Sequence, residues 1–221
     1  MTGRMGTTLA LAGLVLAASL GVAVAEDGGT EPVSAADCDL AIKETTRGYE
    51  RGRPVRRPVE QLARECTTIA YSEPLGAVSS PLTEPSEAGA TEPDTLGAGS
   101  TEGEAVAAGT ICRSVTDGRA YYNGFGWEIV RFQGHLRACG DRSRTTGGDF
   151  WMTINRCCNW FYEGIVHHNN GGCFHGCGFV SRYRMGSFVF NPPWPTISTR
   201  LQPWFRLRVN ADGTASHSSG G

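Results

Sequence analysis

The sequence predicts a mainly β protein, in which an antiparallel β-sandwich C-terminal domain follows a short disulfide-clipped α-hairpin and a disordered linker. Two observations lead to this prediction. All five tryptophans lie after residue 110, within short alternating runs of apolar and polar residues broken by Gly, Asn, Asp and Pro. The stretch 73–109, which precedes them, contains no aromatic residue.

Residues 1–25 have the order of a secretory signal peptide. Arg4 supplies a positive charge, residues 9–24 form an uncharged and mostly apolar run, and Ala23-Val24-Ala25 places small residues where a signal peptidase reads them. The apolar run is shorter than the roughly 20 residues that a membrane-spanning helix needs. We therefore expect a secreted, extracellular protein that begins at Glu26 and has no transmembrane anchor after signal removal.

Cysteine content agrees with export. The chain has eight cysteines, an even number, and all of them follow the predicted signal peptide. In an oxidising compartment such a set is expected to form disulfides. These cysteines are Cys38, Cys66, Cys112, Cys139, Cys157, Cys158, Cys173 and Cys177.

The segment 26–72 is expected to hold two short helices. Acidic residues near Cys38 favour a helix start, Gly52-Arg53-Pro54 ends that helix, and Pro58 suits the first turn of the next one. Cys38 then lies near the start of the first helix and Cys66 near the end of the second. In an antiparallel hairpin these two positions meet, so the sequence predicts a Cys38–Cys66 disulfide.

The segment 73–109 is predicted to be a disordered acidic linker rich in Pro and Gly. It has six acidic residues and no basic residue from Pro74 onward. Such a composition buries too little apolar surface to offset the conformational entropy of the chain. An acidic half of the chain thus precedes a basic one, since 26–109 has 16 acidic and 7 basic residues and 110–221 has 6 and 12.

The segment 110–217 is predicted to be the disulfide-stapled β-domain. In its last strand Trp204, Arg206 and Arg208 alternate with apolar residues, which is the period of a half-buried strand. A disulfide between Cys112 and Cys139 would join its first two strands. The predicted strands cover 111–116, 126–139, 150–155, 160–167, 179–190 and 204–210.

The β-domain also carries a set of aromatic and turn positions at Cys112, Trp127, Cys139, Trp160-Phe161-Tyr162-Glu163-Gly164, Tyr183-Arg184-Met185-Gly186-Ser187-Phe188, Pro203-Trp204-Phe205-Arg206-Leu207-Arg208-Val209 and Asp212-Gly213-Thr214. In these positions the segment 110–217 resembles a group of small secreted actinobacterial β-domain proteins of unassigned function. The resemblance implies export and a β-domain. It implies no catalytic residue.

A loop rich in histidine and cysteine offers one candidate site. His167, Cys173, His175 and Cys177 have side chains that bind zinc or copper, but their spacing is not that of a standard zinc finger. The sequence favours disulfides here, with Cys157 and Cys158 bonded to Cys173 and Cys177 in an order that stays open. Adjacent cysteines in an extended strand point to opposite faces and should therefore find different partners. No metal or other cofactor is expected.

An enzymatic interpretation would combine Glu163 or Asp149 with His135, His167 or His175. The sequence has no nucleophile elbow, zinc-protease motif or phosphate loop. A secreted hydrolase or metal-dependent enzyme using loop 167–177 is therefore the alternative, and a non-enzymatic role is favoured.

The favoured interpretation is a secreted extracellular binding or interaction protein of unknown ligand. Its candidate binding residues pair up along two strands, because residues two apart in a strand share a face. With a nearby tryptophan they could form a basic, aromatic surface for an anionic polymer or a cell-wall glycan. These candidates are Arg182, Arg184, Arg206, Arg208 and Trp204.

Overall fold

The computed structural model describes residues 32–84, 109–192, 194–195 and 198–221. The predicted signal peptide at 1–25 and the part of the predicted linker at 85–108 lie outside the described residues. No helix in the described part of the chain is long and apolar enough to cross a membrane.

Two helices open the described chain, α1 (Ala35–Glu50) and α2 (Arg57–Thr67). The Ser34 hydroxyl caps α1 by accepting a hydrogen bond from the Asp37 main-chain N–H, and the Asp37 carboxylate accepts one from the Ser34 N–H. Pro58 lies in the first turn of α2, where its missing N–H costs no hydrogen bond. Cys38 and Cys66 form a disulfide, so the predicted helical hairpin and its staple are both confirmed.

Eleven strands follow in the described residues. They are β1 (Tyr71–Pro74), β2 (Ala77–Val78), β3 (Leu82–Glu84), β4 (Thr110–Tyr122), β5 (Glu128–Gly140), β6 (Thr145–Arg156), β7 (Trp160–Gly172), β8 (Phe179–Phe190), β9 (Thr199–Leu201), β10 (Trp204–Asn210) and β11 (Ala215–Gly220). All six strands predicted from the sequence are present, and several extend beyond their predicted ends.

The strands form two antiparallel sheets that pack face to face, as the fold prediction expected. The first sheet has the order β1-β4-β5-β6, with β2 and β3 also paired to β4. The second has the order β11-β10-β8-β7, with β9 also paired to β8. Cys112 on β4 lies directly opposite Cys139 on β5, and the predicted disulfide between them is confirmed.

Three phenylalanines from different strands meet between the sheets. The ring centroid of Phe132 on β5 lies 5.2 Å from that of Phe205 on β10 and 6.0 Å from that of Phe188 on β8. All three side chains are fully buried, and each such burial stabilises the fold by about 1.5–3 kcal/mol. The core therefore holds the inner faces of both sheets together and leaves their outer faces to solvent.

The helical hairpin packs on the sandwich. Trp194 is buried against Ala41 of α1 and Ala63 of α2. The Trp160 indole N–H donates to the Thr67 carbonyl oxygen over 3.2 Å. From Val33 onward the described chain is one compact unit, so residues 33–72 of the segment that the sequence set apart share their packing with the β-domain.

The start of the predicted linker was wrong. Residues 73–84 fall largely in β1, β2 and β3, which pair with the free edge of β4. Between these strands the Leu75 N–H donates to the Gly118 carbonyl and the Ser79 N–H to the Ser114 carbonyl. Strand addition uses main-chain groups and needs no apolar side chains, which is why a composition argument missed it. The β-domain also runs past its predicted end at residue 217, because β11 continues to Gly220.

Candidate binding site

The cysteine pairing near loop 167–177 differs from the prediction. Cys157 and Cys158 are bonded to each other, and Cys173 is bonded to Cys177. The prediction was wrong because it assumed an extended strand. The two adjacent cysteines instead lie in the turn between β6 and β7, where Cys158 and Asn159 have φ values of 57° and 65°. In such a turn neighbouring side chains no longer alternate between opposite faces.

The alternative metal site loses half of its proposed ligands. Cys173 and Cys177 are held in a disulfide, and a metal would require them as thiolates. His167 and His175 are exposed. Within the part of the chain that the structure describes, no group of three or more His, Cys, Asp and Glu side chains is arranged to hold a metal ion.

Two of the groups considered for hydrolysis are engaged separately. The Ser187 hydroxyl donates to the Glu163 carboxylate over 2.6 Å, and the Arg200 guanidinium lies 3.2 Å from its other oxygen. Asp149 lies on β6 directly opposite Arg137 of β5. Neither carboxylate has a histidine among its hydrogen-bond partners in the described residues.

His135 lies on the outer face of the first sheet. Its Nδ1 is 3.2 Å from the Thr116 hydroxyl and its Nε2 is 3.0 Å from the Thr153 hydroxyl, so both ring nitrogens are engaged. The imidazole also stacks on Trp151 with 4.9 Å between ring centroids. Burial, followed by the charge of Arg131, lowers the pKa of His135. These contacts hold His135 in a packed pair with Trp151, and neither Glu163 nor Asp149 is among its hydrogen-bond partners in the described residues.

The four candidate arginines divide between the two faces of the second sheet. On β8, Arg182 lies directly opposite Leu207 of β10, and Arg184 lies opposite Phe205. Directly opposed residues in an antiparallel pair point to the same face. Because Phe205 and Leu207 are buried in the core, Arg182 and Arg184 are on the inner face. The single surface predicted for all four arginines is therefore wrong.

Arg206 and Arg208 point to the outer face, and aromatic rings from β8 support them. The Arg206 guanidinium carbon lies 5.6 Å from the centroid of the Tyr183 ring, and that of Arg208 lies 4.1 Å from the Phe179 ring. The Arg208 Nε–H also donates to the Asn210 side-chain oxygen over 2.8 Å. No carboxylate in the described residues pairs with either guanidinium. Both cations are thus held in place and left available for an external anion.

Trp204 continues the same outer face by one further position along β10. It lies between Met185 of β8 and Gly220 of β11. A Cβ atom placed on Gly220 would come within 2.8 Å of the indole, so the glycine gives the ring its space. The Tyr183 ring is 6.1 Å away between centroids. One face therefore carries an aromatic residue followed by two arginines.

A shallow groove of about 390 Å³ runs across this face. Its size lies within the range of ligand sites in proteins, about 300–1,000 Å³. Its lining combines cations with ring, hydroxyl and amide groups, including Asn169, Phe179, Tyr183, Arg206, Arg208 and Ser216. We name this surface, together with Trp204, the arginine face.

A second cavity of about 300 Å³ lies where the hairpin meets the sandwich. Its walls include Trp160 and Trp194, each only 3% exposed, and Phe190. These side chains belong to the packing that docks the helices. Among the described residues that line it, Arg64 alone is charged, and it is already paired with Glu60. The arginine face is therefore the better candidate site.

Sequence reasoning missed Tyr183 and Phe179, which hold the two arginines. Their spacing on β8 was visible, since residues 179, 181 and 183 share one face. Which of the β10 residues they would meet depends on the register between β8 and β10, and the sequence does not contain it. A scan against protein-family models and searches of curated proteins and of solved structures find no match to this chain.

Proposed function

We propose that this is a secreted, non-enzymatic binding protein whose arginine face holds an acidic extracellular glycan. The observation that carries the proposal is the pair Arg206 and Arg208. Each guanidinium is supported by an aromatic ring, belongs to an exposed residue on the outer face of the second sheet, and has no carboxylate partner in the described residues.

The chemistry of these side chains suits a chain of carboxylates or other oxyanions. A guanidinium donates two parallel hydrogen bonds to one oxyanion. Stacking on Tyr183 and Phe179 restricts the two side chains before binding, which lowers the entropy lost when a ligand orders them. Arg206 and Arg208 are two residues apart in β10, so they stand roughly 7 Å apart and face successive charges of a polymer. Trp204 adds an apolar ring against which a sugar can pack.

Features typical of exported proteins support an extracellular ligand. The four disulfides in the described residues are typical of proteins from oxidising compartments. Residues 1–25 have the sequence of a signal peptide. The enzymatic alternative has no comparable support, because the carboxylates and histidines considered for it do not converge.

Calorimetric titration of the purified protein with polygalacturonate tests the proposal, with uncharged dextran as the matched polymer. We expect binding to polygalacturonate that weakens as salt is raised, and none to dextran. A hydrogen bond to a charged group contributes about 1.5–3 kcal/mol and 1.4 kcal/mol is tenfold in affinity, so R206Q/R208Q should bind at least about a hundredfold more weakly.

The control variant is R51Q/R53Q, which removes the same charge from the exposed turn between α1 and α2. It should bind as the wild type does. Equal loss in both variants would show an effect of net charge alone and would contradict the proposed face. Equal binding of dextran would contradict an acidic ligand.

A further inference from the structure

Arg182 and Arg184 occupy the inner face of β8 on the side of the sandwich where β6 and β7 form the sheet edges. The Arg182 guanidinium carbon lies 4.7 Å from the centroid of the Phe174 ring. That of Arg184 lies 5.0 Å from the Phe150 ring of β6. Both side chains thus reach from the second sheet towards the first and are only partly exposed.

These two cations are not neutralised within the described residues. Their N–H groups donate to main-chain carbonyls, Arg182 to Ser181 and Arg184 to Tyr183, each over 2.8 Å. No ion pair in the described residues includes either of them. Burial lowers the pKa of both guanidinium groups, and the charge of Arg182 lowers that of Arg184 further. Two like charges that are partly desolvated and unpaired are unfavourable unless an anion joins them.

The side chains named around these arginines are amide, imidazole and aromatic groups. On the edge strand β7, Asn170 lies directly opposite Arg182 and His168 directly opposite Arg184, and both are exposed. From the first sheet, Phe150 packs against the core next to Arg184. The nearest carboxylate of β6, Asp149, alternates with Phe150 and therefore points to the opposite face.

We propose that Arg182 and Arg184 hold a single oxyanion, a carboxylate or phosphate group, on the inner face of β8 beside the β6 and β7 edges. Asn170 and His168 lie opposite these arginines on β7 and supply further hydrogen-bonding groups. The Phe174 ring packs against the Arg182 guanidinium and the Phe150 ring against that of Arg184, which restricts both cations. This site is on the opposite face of β8 from the arginine face and does not depend on the proposed glycan.

NMR of the arginine side-chain Nε–H groups in the full chain tests this proposal. The probes are inorganic phosphate and benzoate, each added at constant ionic strength against chloride. We expect the Arg182 and Arg184 signals to shift and saturate, while those of Arg51 and Arg53 show no saturable shift. If only phosphate saturates the Arg182 and Arg184 signals, the ligand group is a phosphate. If benzoate saturates them, the ligand group is the carboxylate of an organic acid.

Variants separate this site from the arginine face. R182Q/R184Q should lose the saturable response and the rise in melting temperature that phosphate gives the wild type. R206Q/R208Q should keep both and lose only polygalacturonate binding. R184Q alone keeps the Arg182 stack on Phe174 and serves if the double variant fails to fold; it should bind phosphate at least about tenfold more weakly. The proposal would be overturned if the wild type gave no saturable response. It would also be overturned if R182Q/R184Q kept the response, or if R184Q bound phosphate as tightly as the wild type does.

Discussion

Three of the four disulfides should contribute very unequally to the free energy of unfolding, and among these three the Cys38–Cys66 bond should contribute most. Replacing both cysteines by alanine opens a cross-link between residues 28 apart. The chain-entropy relation then gives a loss of about 3.6 kcal/mol at 25 °C for this pair. Both side chains are also buried, Cys38 to 4% exposure and Cys66 to 0%, so lost packing adds to that figure.

The shorter loops provide the comparison. Cys173 and Cys177 are four residues apart, for which the same relation gives about 1.9 kcal/mol. Cys157 and Cys158 are adjacent and close almost no loop, so their bond should contribute only about 0.6 kcal/mol. The free energy of unfolding should therefore fall most in C38A/C66A, less in C173A/C177A and least in C157A/C158A.

Urea unfolding followed by tryptophan fluorescence measures all three double variants under the same conditions. A thiol count on each denatured, unreduced variant confirms that the remaining six cysteines stay paired. Loop length would not determine these stabilities if C157A/C158A lost as much stability as C38A/C66A. The same conclusion would follow if removing Cys38 and Cys66 changed the unfolding free energy by less than removing Cys173 and Cys177.

Two further predictions concern the packed core and alkaline pH. Gly134→Ala places a Cβ against the Phe205 ring and should lower the unfolding free energy by about 1–3 kcal/mol in urea titration. In the control Gly147→Ala the new Cβ has no atom within 4 Å, and the unfolding free energy should change by less than about 0.5 kcal/mol. Equal effects of the two substitutions would contradict the packing of Gly134 against Phe205. Burial, partly offset by the charge of Arg119, raises the pKa of Tyr121 to about 12 from an ordinary value of 10.0. The folded state therefore keeps this proton longer than the unfolded chain, so stability is lost as pH rises from 10 towards 12, and Tyr121→Phe should lose less stability over that range. If the unfolding free energies of the wild type and of Tyr121→Phe had the same pH dependence, the raised pKa of Tyr121 would be contradicted.

The predictable parts of the fold rest on patterns within single segments. The alternation of Trp204, Arg206 and Arg208 with apolar residues identified β10 and its two faces. Helix-start and helix-break signals placed Cys38 and Cys66 close together because antiparallel helices bring such ends to one point. Both results needed only the geometry of one strand or one hairpin.

The parts that were missed depend on how segments meet. Alternation shows that Arg182 and Arg184 share a face of β8, but only the pairing of β8 with β10 shows that this is the inner face. The bond between Cys157 and Cys158 depends on a turn in which Cys158 and Asn159 have positive φ values, and the sequence pattern did not indicate this turn. Strands β1 to β3 depend on an open edge of β4 that accepts main-chain hydrogen bonds from an acidic, proline-containing segment.

If the outer face of the second sheet is the binding surface, the indole N–H signals of the five tryptophans report it during ligand addition. During titration of the ¹⁵N-labelled protein with polygalacturonate, the Trp204 signal should shift and saturate. Trp151, which is 47% exposed on the outer face of the first sheet, should stay unchanged. A saturating shift of the Trp151 signal with the Trp204 signal unchanged would place the ligand on the first sheet and would contradict binding at the arginine face.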